Sequence, residues 1–278
     1  MVEGFIDFLA ESWGKSFCHQ YQVPRRGWRN VAEEEPTGRF LWKCTNLKEA
    51  LNHYTWNGKT FEDNRLKLRC LQSRLAMAID SNRSENRGAL SKVCFDIFAW
   101  GGVARKTDDP SRQWITRHAN EDLNGLIARG VQILKSGKNM KSFDGCTLLM
   151  NSAMTKVYSI ADLSDRLIIY DGRVGAALGL LARKYLAGLG IEEIPQGLRF
   201  RWGDARRSKS IDPEDRNPSH GKYIFERLFV GRDKDYVHAK LMSRTSRLIV
   251  TLSKRLKVTP RQVEAALFMV GYKVKDPN

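Results

Sequence analysis

The stretch RLIIYDGRVGAAL, Arg166–Leu178, decides how this chain is read. Leu167, Ile168, Ile169 and Tyr170 form an unbroken apolar run that meets Asp171. Behind it come Gly172, Arg173, Val174 and a series of small residues. Asp is a favoured N-cap, because its carboxylate accepts from amides that a helix leaves unpaired in its first turn. The pattern predicts a buried run turning into a helix at Asp171, the helix ending at Gly188-Leu189-Gly190. Asp171 is then either a cap and nothing more, or a carboxylate that the fold exists to position. Arg173 is an odd choice so early in a helix, where positive charge opposes the dipole. A phosphate or an ordinary salt bridge would resolve that conflict.

Working outward, most of the chain has helical periodicity. Phe5, Ile6, Leu9 and Trp13 share one face near the N-terminus, and that segment lacks the basic start of a signal peptide. Thr60 can cap a helix through Leu66, Leu71, Leu75 and Ile79. Ser81–Gly88 is a polar break before Ala89–Trp100, which stops at Gly101-Gly102. Asn120 can cap a helix carrying Leu123, Leu126, Ile127, Val131 and Leu134. The segment Asp144–Leu163 predicts two short helices meeting near Asn151-Ser152. Residues 191–235, rich in charge, proline and glycine, read as a long basic irregular loop. Thr259, Pro260 and Gln262 spell a capping box before the last helix. No convincing alternating strand exceeds four or five residues. The expected fold is therefore mostly α, with an N-terminal helical region over residues 1–88 and a core over 89–278.

The chain has 278 residues and a net charge of +16, spread along its length without a polybasic tail. That predicts a folded basic surface with a polyanionic partner, most simply double-stranded DNA. No run of about 18 apolar residues exists, so no membrane span is expected. Five cysteines without paired spacing argue for a reducing, cytoplasmic setting and against a metal site. Phosphate-loop, dinucleotide-fold, zinc-protease and nucleophile-elbow motifs are all missing from the sequence. No metal, cofactor or membrane partner is expected, and the chain is read as a monomer.

Several segments together resemble the helix-hairpin-helix DNA glycosylase superfamily, and more narrowly the bacterial proteins described as 8-oxoguanine glycosylase-like. They are Trp100-Gly101-Gly102, the hairpin candidate LLMNSAMTKVYSI, Tyr170–Val174, Arg216-Asn217-Pro218, His238-Ala239 with Arg244, and Glu264–Tyr272. The likeness covers about residues 89–272. It implies a helix-hairpin-helix glycosylase-like helical fold, with the N-terminal region additional to it. It also implies a DNA N-glycosylase, a hydrolase of N-glycosyl bonds that flips out and excises a damaged or modified base. The family hairpin is glycine-rich so that amides can approach a phosphate. NSAMTK has no glycine, so Ser152 and Thr155 hydroxyls would take over that contact.

Breaking an N-glycosidic bond leaves positive charge on the deoxyribose, and a fixed carboxylate stabilises it and orients water. Asp171 is the expected carboxylate, held as an anion by a helix N-terminus. Lys156 stands where lyase-competent members carry a Schiff-base lysine, though closer to the aspartate; a phosphate contact or a solvated lysine is the alternative. Hydrolysis without lyase chemistry is slightly preferred. A flipped base needs aromatic partners, and Trp100, Trp114 and Trp202 are candidates, Trp202 foremost because it lies in the basic loop; for each of them a place in the core is the alternative. His238, Arg244 and Arg247 are candidate contacts to a phosphate or the target base from one helix, with a plain solvated surface as the alternative for each. Rival readings are a non-catalytic basic helical DNA-binding protein, a glycosylase for hypermodified bases of foreign (phage) DNA, and, weakest, a DNA breaking-and-joining enzyme.

Overall fold

A computed structural model describes residues 1–15, 17–80, 87–205 and 212–275. The fold is mostly α. The chain forms two compact units: the first comprises Met1–Asn64, Asp171–Leu228 and Leu248–Asn278, the second Arg65–Tyr170 and Phe229–Arg247. Most of the expected polar break after Asp80 lies outside the described residues, as do Arg206 to Ile211 of the basic loop.

In the first unit, α1 (Val2–Gly14) buries the predicted face of Phe5, Ile6, Leu9 and Trp13. A small antiparallel sheet follows: β1 (His19–Val23), β2 (Glu33–Glu34) and β3 (Phe40–Cys44), in the order β1-β3-β2. This corrects a purely helical reading of the N-terminal region. Tyr21 and Val23 on β1 and Phe40, Trp42 and Cys44 on β3 are buried with a period of two, but over only five residues each. Cross-strand pairing sets Tyr21 opposite Trp42, their rings stacked 4.7 Å apart. α2 (Leu47–Asn52) is capped by Asn46, whose side chain accepts from the Glu49 amide. α3 (Phe61–Asp80) starts at the expected Thr60 cap and continues into the second unit.

The interior of the first unit is built on α8 (Gly172–Gly188), which is buried on nearly all sides because Gly, Ala and Leu dominate it. It packs on α1, where Phe5 meets Tyr185 at 5.6 Å. It packs also on α10 (Pro260–Val270), which has the predicted Thr259–Gln262 capping box. Tyr21 ties the sheet to α10 by donating to the Met269 carbonyl at 2.7 Å.

The second unit contains α4 (Arg87–Gly101), α5 (Pro110–His118), α6 (Leu123–Ser136) and α7 (Met154–Ala161). The first part of α9 (Lys234–Leu256) belongs to it as well. α6 is capped by Asp122 rather than Asn120, its carboxylate accepting from the Gly125 amide. Only the second of the two predicted hairpin helices forms. Ahead of α7, a 3-10 turn at Met140–Ser142 leads into irregular backbone. The Asp144 carboxylate accepts there from the Cys146 and Thr147 amides, and Gly145 takes a φ of +84°. Those local bonds compete with helical ones and win. Among the described residues, no helix is long and apolar enough to cross a membrane, all five cysteines are free, and no metal-binding cluster of His, Cys, Asp or Glu forms.

Candidate functional site

Asp171 is the N-cap of α8, with extended backbone at φ −109° and ψ −177°. Its Oδ1 accepts from the Arg173 amide at 2.9 Å and the Val174 amide at 3.1 Å. The residue is half-buried, and Oδ2 accepts no hydrogen bond among the described residues. One oxygen therefore holds the helix and the other is left for something else. Gly172 follows because the chain at Gly203 crosses here: the Gly203 amide donates to the Gly172 carbonyl at 3.3 Å. A Cβ on Gly172 would lie 2.7 Å from Gly203 Cα.

Among the described residues, the Arg173 guanidinium forms no salt bridge. Its guanidinium lies among three rings: Phe268 at 4.4 Å, Tyr272 at 4.9 Å and Trp56 at 5.3 Å. Burial pushes its pKa down, opposed by the negative charge of Asp171. A cation over an aromatic face gains about 0.5–2 kcal/mol per contact, the more so when desolvated, which outweighs the unfavourable dipole position. Gly271 closes the cage, since any side chain there would collide with the Arg173 carbonyl oxygen.

Arg216 is the second cation. It ends a 3-10 turn, Pro213–Arg216, fixed by an Asp212–Asp215 capping box. Its Nη1 donates to the Asp204 carbonyl at 3.2 Å, while its buried Nε has no hydrogen-bond partner among the described residues. Burial, then the charge of Arg173, push it down to about 10, and Asp171 pulls the other way. The Asp204 carboxylate pairs with Arg227 Nε at 2.9 Å and adds a weaker upward pull on Arg216. Arg216 is half-buried as a residue, and among the described residues it forms no salt bridge.

Of the two readings of Trp202, the structure places it in the core and not as a base-stacking aromatic. It is 2% exposed, donates from Nε1 to the Phe225 carbonyl, and is covered by Arg227 at 5.2 Å. Trp114 is likewise buried, donating to the Cys146 carbonyl.

The remaining predicted residues lie in the second unit. Asn151, not a glycine loop, starts α7 by accepting from the Ala153 and Met154 amides. Ser152 is half-buried, and its carbonyl accepts from Lys156 Nζ at 2.8 Å. The Lys156 stem is buried and runs over Gly101, beside the half-buried Trp100. Thr155 is fully buried, its hydroxyl donating to Met242 Sδ and accepting from the Tyr170 amide. A hydroxyl so engaged does not face a DNA phosphate. His238 is also buried, with Nε2 at 2.7 Å from the Tyr170 carbonyl and its ring against Phe229. It is an internal anchor rather than a surface contact. Arg244 is half-buried, and burial lowers its pKa. Arg247 is exposed and donates to Ser243 Oγ.

Within the first unit the structure thus gathers Asp171, Arg173 and Arg216. Within the second it gathers Thr155 and His238 on the peptide of Tyr170. The roles of Arg216 and the aromatic cage are not legible as periodicity, although Arg216 and Tyr272 stand in the quoted motifs. Compared with protein-family models, curated proteins and solved structures, the chain matches none.

Proposed function

We propose that the protein is a DNA N-glycosylase of helix-hairpin-helix type in which Asp171 acts on the sugar of a flipped-out nucleotide. The observation that supports this best is the division of labour in one carboxylate: Oδ1 is fixed by two amides while Oδ2 remains unspent. The order α7, buried run, Asp171, α8 is also the order that the sequence resemblance implies. Oδ2 stabilises positive charge growing at C1′ as the C1′–N bond breaks, and orients water for attack there. The bond electrons leave with the base, which takes a proton from solvent. Water forms the new C1′–O bond and gives up its proton through Asp171. Arg216, half-buried and without an ion pair among the described residues, faces the anionic part of the substrate. Hydrolysis without a Schiff base is favoured, because Lys156 Nζ is held to the Ser152 carbonyl.

The test is incubation with duplexes carrying different modified bases, followed by alkali to reveal abasic sites. The wild type is expected to cleave at least one, and Asp171→Asn to lose cleavage while keeping DNA binding. Wild-type cleavage by that variant would refute the assignment. Borohydride trapping is expected to give no covalent adduct.

A further inference from the structure

The sequence run LKSGKNMKS, Leu134–Ser142, places lysines at 135, 138 and 141. α6 ends within it, at Gly137 in the left-handed region (φ +73°), and Asn139 is left-handed too (φ +56°). The two reversals fold the chain back beside the last turns of α6 and leave a cavity of about 580 Å³. Its cations are Arg129, Lys138 and Lys141; the rest of the lining is neutral, with Gln132 and Asn139 among it. Among the described residues, no carboxylate and no aromatic ring lines it.

These charges are uncompensated. Among the described residues Lys138 and Lys141 form no ion pair, and Arg129 has only a long hydrogen bond to Ser142 Oγ, at 3.4 Å. The neighbouring acids are spent elsewhere. Asp144 caps its own turn, Glu121 is paired with His118, and Asp162 takes Lys135. A helix C-terminus contributes only about half a negative charge, so three full positive charges dominate. In a chain of net charge +16, grouping unpaired cations costs repulsion that a polyanion removes.

We infer that this cavity is a phosphodiester site that grips the backbone of duplex DNA through Arg129, Lys138 and Lys141. The inference rests on the reading of the protein as one that acts on DNA. The lining selects the ligand class. With no ring to stack on, it has nothing for the base of a free nucleotide, whereas flexible cations suit a charged backbone and release its counterions.

The test is fluorescence anisotropy of the full chain with a labelled, unmodified duplex across a salt series, which needs no catalysis. Lys138→Gln/Lys141→Gln is compared with a control of equal charge change at the exposed Lys48 and Lys67. The cavity variant is expected to flatten the log–log salt slope by about 0.9 per lost contact, roughly eightfold weaker binding per contact at 0.1 M salt. The control should stay near wild type. Equal losses in both variants, or none in the cavity variant, overturn the inference. So does a cavity variant that keeps duplex binding but loses binding to phosphatidylserine vesicles. A wild type that fails to bind duplex overturns the inference together with the DNA reading. Binding that depends on the cavity without any base excision supports the inference and sinks the glycosylase reading alone.

Discussion

His238 Nε2 lies 2.7 Å from the Tyr170 carbonyl oxygen, and Thr155 Oγ1 accepts from the Tyr170 amide at 3.1 Å. The backbone of Tyr170, the residue just ahead of Asp171, is therefore held at both its amide and its carbonyl by buried side chains. A carbonyl only accepts, so His238 must carry its proton on Nε2. His238→Ala should cost about 2–4 kcal/mol, from a lost hydrogen bond and a cavity together. Thr155→Val keeps the shape but leaves the Tyr170 amide unpaired, at about 1–3 kcal/mol. Urea titration reads both. A His238→Ala variant as stable as wild type would show that this anchor is idle.

Asp171 combines two roles that substitution can separate. Asn caps helices about as well as Asp, so Asp171→Asn should change stability by less than about 0.5 kcal/mol. Asp171→Ala should lose about 1 kcal/mol with the cap. If Oδ2 is the catalytic oxygen, both variants lose at least about a hundredfold in single-turnover excision. Activity that tracks stability, Asn active and Ala not, would return Asp171 to a plain cap.

How much of this could be read from the chain depends on the range of each interaction. The Asp171 cap, the Thr259 box and the α1 face are local: spacing within one or two turns defines them, and all three appear as expected. The sheet escaped because two five-residue strands carry too short a period-two signal, with polar turns between them. The first hairpin helix failed because the Asp144 side chain offers its backbone a rival turn. Trp202, Thr155 and His238 were misplaced for one reason: their polar atoms find partners 23, 15 and 68 positions away, which no window shows. Arg173 is the extreme case, because its cage joins the rings of Trp56, Phe268 on α10 and Tyr272 just after it.

That cage predicts an unequal response to conservative changes. Arg173→Lys keeps the charge but loses the planar group that stacks on rings. It should destabilise by about 1–2 kcal/mol and shift the fluorescence of Trp56, which lies 5.3 Å from the guanidinium. Gly271→Ala should be worse, above about 3 kcal/mol, because its methyl meets the Arg173 carbonyl oxygen, a backbone atom that cannot swing aside. Near-wild-type melting of Gly271→Ala would mean that α10 and the first turn of α8 are not in that close contact.

A different carboxylate governs the response to acid. Asp162, 1% exposed, accepts from Ser164 Oγ at 2.6 Å, the Arg166 and Leu167 amides at 2.8 and 2.9 Å, and Lys135 Nζ at 3.1 Å. Burial by itself raises its pKa, but the hydrogen bonds from Ser164, Lys135 and the two amides outweigh it and hold the group below the usual range. A carboxylate depressed in the folded state stabilises fully above its unfolded pKa, about 3.9, and loses that contribution as pH falls through the lower folded value. Asp162→Asn should therefore melt well below wild type near neutral pH, the gap corresponding to roughly 3–5 kcal/mol, because the carboxamide keeps one acceptor oxygen for the Arg166 and Leu167 amides but turns an NH2 donor toward Lys135, which loses its anion. The gap should narrow as pH falls below about 4, where the unfolded wild type takes up a proton on this carboxylate that the folded protein still excludes. Melting curves of both proteins between about pH 7 and pH 3 decide it. A gap that stays constant over that range would show that Asp162 contributes through packing alone.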